Sequence, residues 1–490
     1  MLEQDPQFRP LRRQNGYLRL EDLGLIGDGA TAALVGIDGS IPWLCVPHFD
    51  SEALFCGLLD PARGGHFRVT PERLREARQY YDGDTGVLVT ELRAEAGTVR
   101  LTDALALRSN ADLADDAGSD RRELVRSAVV VSGNVRLRVE LEPRHGAQVR
   151  PAFDGLEILP NAAPGLRLHL RANRPLEGLS TTHDLVQGER LDLVLSWGRF
   201  HRHHALDAEA MLRDTADAWR RWMGTFDYTG PEEPMVRRAA ITLKLCDQWV
   251  NGSLVAAPTS SLPAPVGGVR NWDYRYGWIR DAAFGVFALR RVGFANEADA
   301  FLGWVLDAFE RSRWPRIMYT LDGDIVPEGR EDSELDGYRA SRPVRWGNGA
   351  ADQRQHDVYG EVLGKALGTD RKEVTVHFRA VPHGGIFDVD AAPNVLRFGL
   401  DPEDVRLELA GVGSHARGLV PVTLAARLEP ASLPPYGQLL HNVLHRITAL
   451  SIRGDEAEAS WRVVEPVLDA WSRNLVPLLD YEAGSSGPAG

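Results

Sequence analysis

At 490 residues the chain has room for two or three domains, and 43% hydrophobic residues supply ample core for them. A net charge of −13 offers no basic face for nucleic acid, and no apolar run approaches the roughly 20 residues that span a bilayer. Three cysteines (Cys45, Cys56, Cys246) are too few and too scattered for a disulfide framework or a zinc knuckle. The polar opening MLEQDPQFRPLRRQNG lacks the apolar stretch of a signal peptide, so a cytoplasmic protein is expected.

Residues 1–230 read as a β-sandwich. Gly27-Asp-Gly29-Ala-Thr-Ala32 formally fits a dinucleotide fingerprint, which requires a helix to open at its second glycine. The residues after Ala32 read instead as a strand, an Asp38-Gly39 turn and another strand, so a β-hairpin is the better reading. Val135-Arg-Leu137-Arg-Val139-Glu-Leu141-Glu alternates apolar and charged, as a half-buried strand does. Gly133-Asn134 before it has the chemistry of a hairpin turn. Leu191-Asp-Leu193-Val-Leu195-Ser-Trp197 repeats the alternation. Phe200-His201-Arg-His203-His204 has the residue type of a metal cluster. It lacks carboxylates at helical spacing or a cysteine pair, and a solvated turn is favoured.

From about Met235 the apolar period changes to that of a helix, with Val236, Ala239, Ala240, Leu243, Cys246 and Trp249 on one face. A Pro/Ser/Gly loop comes next, then Arg270-Asn-Trp-Asp-Tyr274-Arg-Tyr276-Gly-Trp278-Ile-Arg280-Asp281. Four aromatics, three arginines and two aspartates leading into a helix suit a sugar site, with flat apolar faces and charged forks for hydroxyl pairs. The same residues also suit a buried Arg–Asp pair that locks a loop, with the aromatics as core. The helix after it would turn Phe284, Phe287 and Ala288 inward and stop at Gly293. Asn296 would cap the next helix, with Phe301, Leu302, Val305, Leu306 and Phe309 inside.

Residues 270–284 resemble the signature of the family-15 glycoside hydrolases, the glucoamylase and bacterial trehalase group. Gly27 to Leu44 resembles that group's N-terminal domain. Glu334-Leu-Asp-Gly-Tyr338, Ser341 to Asn348 and Asp357-Val-Tyr359-Gly360 match as well. The resemblance covers about residues 15–363 and implies a β-sandwich (1–230) followed by part of an (α/α)6 barrel (231–363). It further implies that Arg280 and Asp281 grip a glucose unit of an α-glucoside, that Tyr274 and Trp278 line the same subsite, and that Trp346 lies near a further sugar contact. Hydrolysis with inversion needs a general acid and a general base roughly 6.5–9.5 Å apart. In the resembled family both glutamates come from later helices, beyond Gly360, and here the pattern is left at Leu363. Glu328, Glu331 and Glu334 sit in a polar run that reads as a solvated loop. No catalytic residue is assigned.

Beyond the seam at 363–364 the residues change character. Glu373 to Phe378, Asn394 to Phe398, Asp404 to Leu409 and Val420 to Leu428 alternate as strands. Helical patterns cover Tyr436–Leu450 and Glu456–Trp471. Gly364-Lys365-Ala-Leu, Arg371-Lys372-Glu-Val, Pro393-Asn-Val-Leu-Arg, Ser451-Ile-Arg-Gly-Asp455 and Trp461 to Trp471 resemble the C-terminal part of glucose-6-phosphate dehydrogenase. That resemblance implies an α+β antiparallel-sheet segment (364–490), a phosphate-binding role for Lys365 and Arg371, and self-association through the sheet. NADP would follow only from a complete dehydrogenase, and no cofactor or metal is expected. Three functions thus stand side by side: a glucoamylase/trehalase-type protein lacking its acid and base, a dehydrogenase-related chain, and a non-catalytic fusion that binds sugar or serves as an interaction module.

Overall fold

The computed structural model describes residues 7–114, 118–198, 206–312, 316–353, 372–377, 394–401, 403–412, 419–427 and 473. The chain divides into two compact units, 1–361 and 362–490.

The first unit opens with a four-stranded antiparallel sheet: β1 (Leu23–Gly27), β2 (Ala32–Gly36), β3 (Trp43–Cys45) and β4 (Ala53–Phe55). The Gly27-to-Ala32 stretch is the hairpin between β1 and β2. Gly29 sits at φ +79°, and Asp28 accepts from the N–H groups of Ala30 and Thr31. Burial, with Asp120 close by, pushes the Asp28 carboxyl up to about 7.

A larger antiparallel sheet comes next, from β5 (His66–Pro71), β6 (Leu74–Tyr81), β7 (Leu88–Ala94), β8 (Gly97–Leu107), β9 (Asp120–Glu142), β10 (Ala147–Ala152), β11 (Gly155–Pro160), β12 (Leu168–Ala172), β13 (Ser180–Val186) and β14 (Arg190–Trp197). The order runs β6-β7-β8-β9-β14-β12-β11-β10. β9 does not turn back at Gly133-Asn134. Gly133 takes φ +73°, where a side chain would strike the Ala96 carbonyl, and the strand continues through it as at a bulge. Before Gly133, β9 pairs with β8 and β14; after it, with β5 and β13. One strand thereby serves both layers, which close over Ile26, Phe55, Phe67, Leu101, Leu137 and Leu195.

Val135–Glu142 keeps its apolar side in and its charged side out. Leu191–Trp197 is instead buried on both faces. The cover on its second face is α1 (Ala208–Met223), a helix that the strand-like reading of residues 1–230 missed. Asp207 caps it through the Ala210 N–H. Met211 and Ala216 pack on Val125 and Val194.

Three more helices complete the unit: α2 (Glu233–Lys244), α3 (Ile279–Arg291) and α4 (Ala295–Arg311). α2 ends before Cys246 and Trp249, and it buries Ala240, Ile241 and Lys244. Lys244 is held by Asp247 at 2.7 Å and Glu297 at 3.2 Å. α3 turns the side opposite to the expected one inward: Ala282, Ala283, Val286 and Leu289 are buried, while Ala288 is exposed and Phe284 and Phe287 are 43% and 41% exposed. Gly285 lies on the same inward side, where a Cβ would come within 2.8 Å of the Leu254 side chain. Gly293 ends α3 at φ +102°. α4 buries Phe301 and Val305 as expected, with Trp304 and Ala308, but leaves Leu306 40% exposed. Its N-cap position is Phe294, and Asn296 lies within the first turn.

In the second unit the four expected strands form one antiparallel sheet: β21 (Lys372–His377), β22 (Val395–Asp401), β23 (Glu403–Val412) and β24 (Leu419–Arg427). The expected helices at Tyr436–Leu450 and Glu456–Trp471, and the histidines 201, 203 and 204, lie outside the described residues.

Candidate functional site

The 270–281 stretch divides into an inner half and an outer half. β15 (Ser260–Pro263) pairs with β16 (Asn271–Asp273). Asn271 donates to the carbonyls of Ser341 and Pro343. Asp273 is fully buried and meets Arg275 through a two-pronged ion pair, Nε to Oδ1 at 2.9 Å and Nη2 to Oδ2 at 2.8 Å. The Gly347 N–H also donates to Asp273, and the Asn348 amide donates to its carbonyl. Burial opposes the charge on Arg275, but the Asp273 carboxylate beside it raises the guanidinium well above its usual range. Arg275 Nη1 reaches across to the Ser51 carbonyl of the sandwich at 2.7 Å.

Trp346 belongs to this inner half. It lies on β20 (Val344–Trp346), which pairs with β19 (Arg330–Asp332). Only 6% exposed, its ring stacks on Trp43 of the sandwich, with centroids 6.2 Å apart. The guanidinium carbons of Arg144 and Arg275 lie 5.6 and 5.0 Å from its centroid. Its indole N–H donates to Asp332 at 2.9 Å, and Arg144 pairs with the same carboxylate at 2.6 Å. Burial works to raise the Asp332 carboxyl, but Trp346 and Arg144 together hold it below the usual carboxylate range. The ring of Trp346, expected near a further sugar contact, thus packs between this segment and the sandwich. The Arg144–Asp332 pair carries no motif, and only its long sequence separation with matched charge could have hinted at it.

The outer half holds the other four expected residues, and the fold gathers them. β17 (Gly277–Trp278) pairs with β18 (Met318–Tyr319), and Gly277 is required because a side chain there would strike Trp304. α3 begins one residue after Trp278, so Arg280 and Asp281 stand in its first turn. Asp281 is well placed there by the helix dipole. Tyr274 and Trp278 have ring centroids 6.0 Å apart and tilted by 50°. Arg280 lies 5.8 Å from the Trp278 ring and 4.0 Å from the Asp281 carboxylate. Tyr274 is 37% exposed, and the Arg280 and Asp281 side chains are 42% and 51% exposed. Two aromatic faces beside an acceptor and a guanidinium fork can seat a pyranose and its hydroxyls. Asp273 and Arg275 thus form the buried pair that locks the loop, while Tyr274, Trp278, Arg280 and Asp281 gather at the start of α3.

Lys365 and Arg371 lie outside the described residues. Glu328, Glu331 and Glu334 are exposed. Among the described residues no group of three or more His, Cys, Asp or Glu is placed to hold a metal ion, and no helix is long and apolar enough to cross a membrane.

Comparison with known proteins divides the chain at the same seam. Residues 14–176 match the family described as "Trehalase-like, N-terminal", residues 230–369 match "Glycosyl hydrolases family 15", and residues 362–490 match "Glucose-6-phosphate dehydrogenase, C-terminal domain". The chain is 34% identical over 384 residues to a trehalase of Mycolicibacterium smegmatis, covering 71% of this chain and 57% of that protein. It is 32% identical over 359 residues to a trehalase of Thermoplasma volcanium, covering 71% and 56%. A glucose-6-phosphate 1-dehydrogenase of Gluconobacter oxydans is 30% identical over 200 residues, 38% of this chain and 40% of that one. Among solved structures, a bacterial glucoamylase complexed with acarbose aligns over 66% of this chain and 54% of its own, at 12% identity and a TM-score of 0.44. The chain spans a little over half the length of the trehalases it matches.

Proposed function

We propose that the chain is an α-glucoside-recognising protein of the glucoamylase/trehalase type that binds its sugar without hydrolysing it. On this reading residues 1–230 are the sandwich domain, 231–363 are the opening helices of an α/α barrel, and 364–490 are a dehydrogenase-like tail. The carrying observation is the exposed cluster of Tyr274, Trp278, Arg280 and Asp281 at the start of α3, braced from within by the Asp273–Arg275 pair. The similarity to trehalases supports a glucose-containing ligand. Calorimetric titration of trehalose into the full chain tests it. Asp281→Asn should weaken binding roughly tenfold, the loss expected for one charged hydrogen-bond partner. The fold should be unchanged, since the Asp281 side chain is 51% exposed. Equal affinity in the variant would remove Asp281 from the site.

For the tail, the proposal is self-association. Val376, Leu396, Leu407 and Leu424 lie directly across from one another in adjacent strands, so they share one face of the sheet. Phe398 and Val422, two residues along their strands, join them. Val376, Phe398, Val422 and Leu424 are 40%, 40%, 38% and 56% exposed. An apolar face of this kind, with strand edges at β21 and β24, favours pairing with a second copy. Sedimentation of the full chain should show dimers or larger species that dissociate on Leu424→Glu; a monomer at tens of micromolar would end this part of the proposal. Lys365 and Arg371 are proposed to hold a phosphate at most, with no NADP site in the chain.

A further inference from the structure

The sandwich carries a groove of about 1230 Å³ that none of the family matches assigns to a function. Its walls are the loop at 46–52, the start of β9, the loop at 162–167 and the ends of β12 and β14. The charged lining is arranged in pairs. Arg171 and Arg121 flank Glu123 at 3.0 and 2.7 Å, Arg122 lies 3.5 Å from Asp120, and Arg167 lies 3.4 Å from Glu157. Four of the five arginines that line the groove thus have a carboxylate beside them, and the fifth, Arg108, donates to the Asp120 carbonyl, so most of its positive charge is already matched.

What such pairs do offer is a donor and an acceptor about 3 Å apart, repeated along the walls. That is the pattern that vicinal hydroxyl groups satisfy, since each hydroxyl both donates and accepts. Trp197, 3% exposed, also lines the groove, and its indole N–H is buried without a hydrogen-bond partner. Arg122 adds a sign of constraint, being held at φ +58°, a conformation costly for a residue with a side chain and concentrated at ligand-binding places. Gly198, at φ +98°, lies beside the Arg122 side chain.

We infer that this groove is a second carbohydrate site, separate from the cluster on α3, and that it takes a neutral oligosaccharide. Its volume exceeds that of the usual small-molecule cleft of roughly 300–1,000 Å³, so a chain of several sugar units fits the space better than one. The groove is not isolated from the α3 cluster in the fold. Its wall at 46–52 is tied to Arg275, the residue after Tyr274, through the Ser51 carbonyl.

The test uses the full chain carrying Asp281→Asn, which weakens the proposed glucose cluster, and the groove variants below leave that cluster untouched, so that failure of the groove and failure of that cluster are read separately. Maltoheptaose is the probe, followed by calorimetry and by saturation transfer from protein to sugar protons. Two variants are added to that background. Gly165→Trp fills the groove from a position with open space around it, and Arg122→Ala with Arg167→Ala removes two arginines whose side chains are 56% and 69% exposed. Both should keep the parent melting temperature. The parent should bind maltoheptaose, and each variant should bind it at least about tenfold more weakly. Absence of binding in the parent at millimolar sugar overturns the inference, and so does binding that both variants leave unchanged.

Discussion

Asp273→Ala should cost the first unit roughly 3–5 kcal/mol, the range for leaving one partner of a buried ion pair without the other. The Arg275 side chain is 3% exposed and cannot swing out to water, so its charge would stay behind in an apolar surrounding. The Gly347 N–H would lose its acceptor as well. The damage should spread beyond the pair, because Arg275 also joins the Ser51 carbonyl to the 271–278 segment and lies against Trp346. Urea unfolding followed by tryptophan fluorescence should therefore show a lower midpoint, and trehalose binding at the neighbouring Tyr274 and Trp278 should fall with it. The double variant Asp273→Asn with Arg275→Met should cost less than the sum of the two single changes, since no unpaired charge is left buried. A single Asp273→Ala change of under about 1 kcal/mol would show that the pair is not what holds the two halves together.

The parts legible in the sequence were those governed by local rules. Alternation placed Val135–Glu142 with the correct side inward, the Asp-Gly turns separated hairpin from dinucleotide site, and the four strands after residue 371 fell where their β-branched residues put them. Four of the five residues expected around the glucose come together because strand, turn and helix start succeed one another without a gap. What the sequence did not disclose depended on partners far along the chain. Gly133-Asn134 has the composition of a turn, yet the surrounding strand already had neighbours on both sides of the glycine, so the backbone ran on. α1 was missed although Met211, Thr215, Ala218, Trp219 and Trp222 recur at the spacing of a helix and are buried along one face. The inward face of α3 was misjudged as well. Size favoured Phe284 and Phe287, but the buried face is the one that carries Ala282, Ala283, Gly285, Val286 and Leu289, where Gly285 meets Leu254. That Trp346 stacks on Trp43, a partner distant by sequence, was likewise not legible.

The full chain should release glucose from trehalose, maltose and isomaltose at background rates only. An inverting glycosidase protonates the leaving oxygen with one carboxylic acid and activates water with a second carboxylate on the opposite face. Each proton-transfer group typically contributes a factor of about 10²–10⁴, so a site lacking both keeps binding and loses the chemistry. The acidic residues nearest in sequence lack the environment of a general acid. A carboxyl that holds its proton at neutral pH does so in an apolar pocket, whereas Glu328 is exposed, Glu331 is exposed beside Arg345 at 3.1 Å, and Glu334 is 66% exposed and faces His145 at 3.6 Å. The α3 cluster itself offers one carboxylate, Asp281, already 4.0 Å from Arg280, which suits a hydroxyl-binding acceptor rather than a proton donor. A coupled glucose assay, run with enough protein to see a rate about ten thousand times below that of a working glycosidase, decides the matter. Release that saturates with substrate and disappears on Asp281→Asn would mean that an acid and a base are present after all. Trehalose that binds in the calorimeter yet survives overnight incubation intact is the pair of results expected on the proposed function, in which binding needs only the α3 cluster while cleavage also needs an acid and a base.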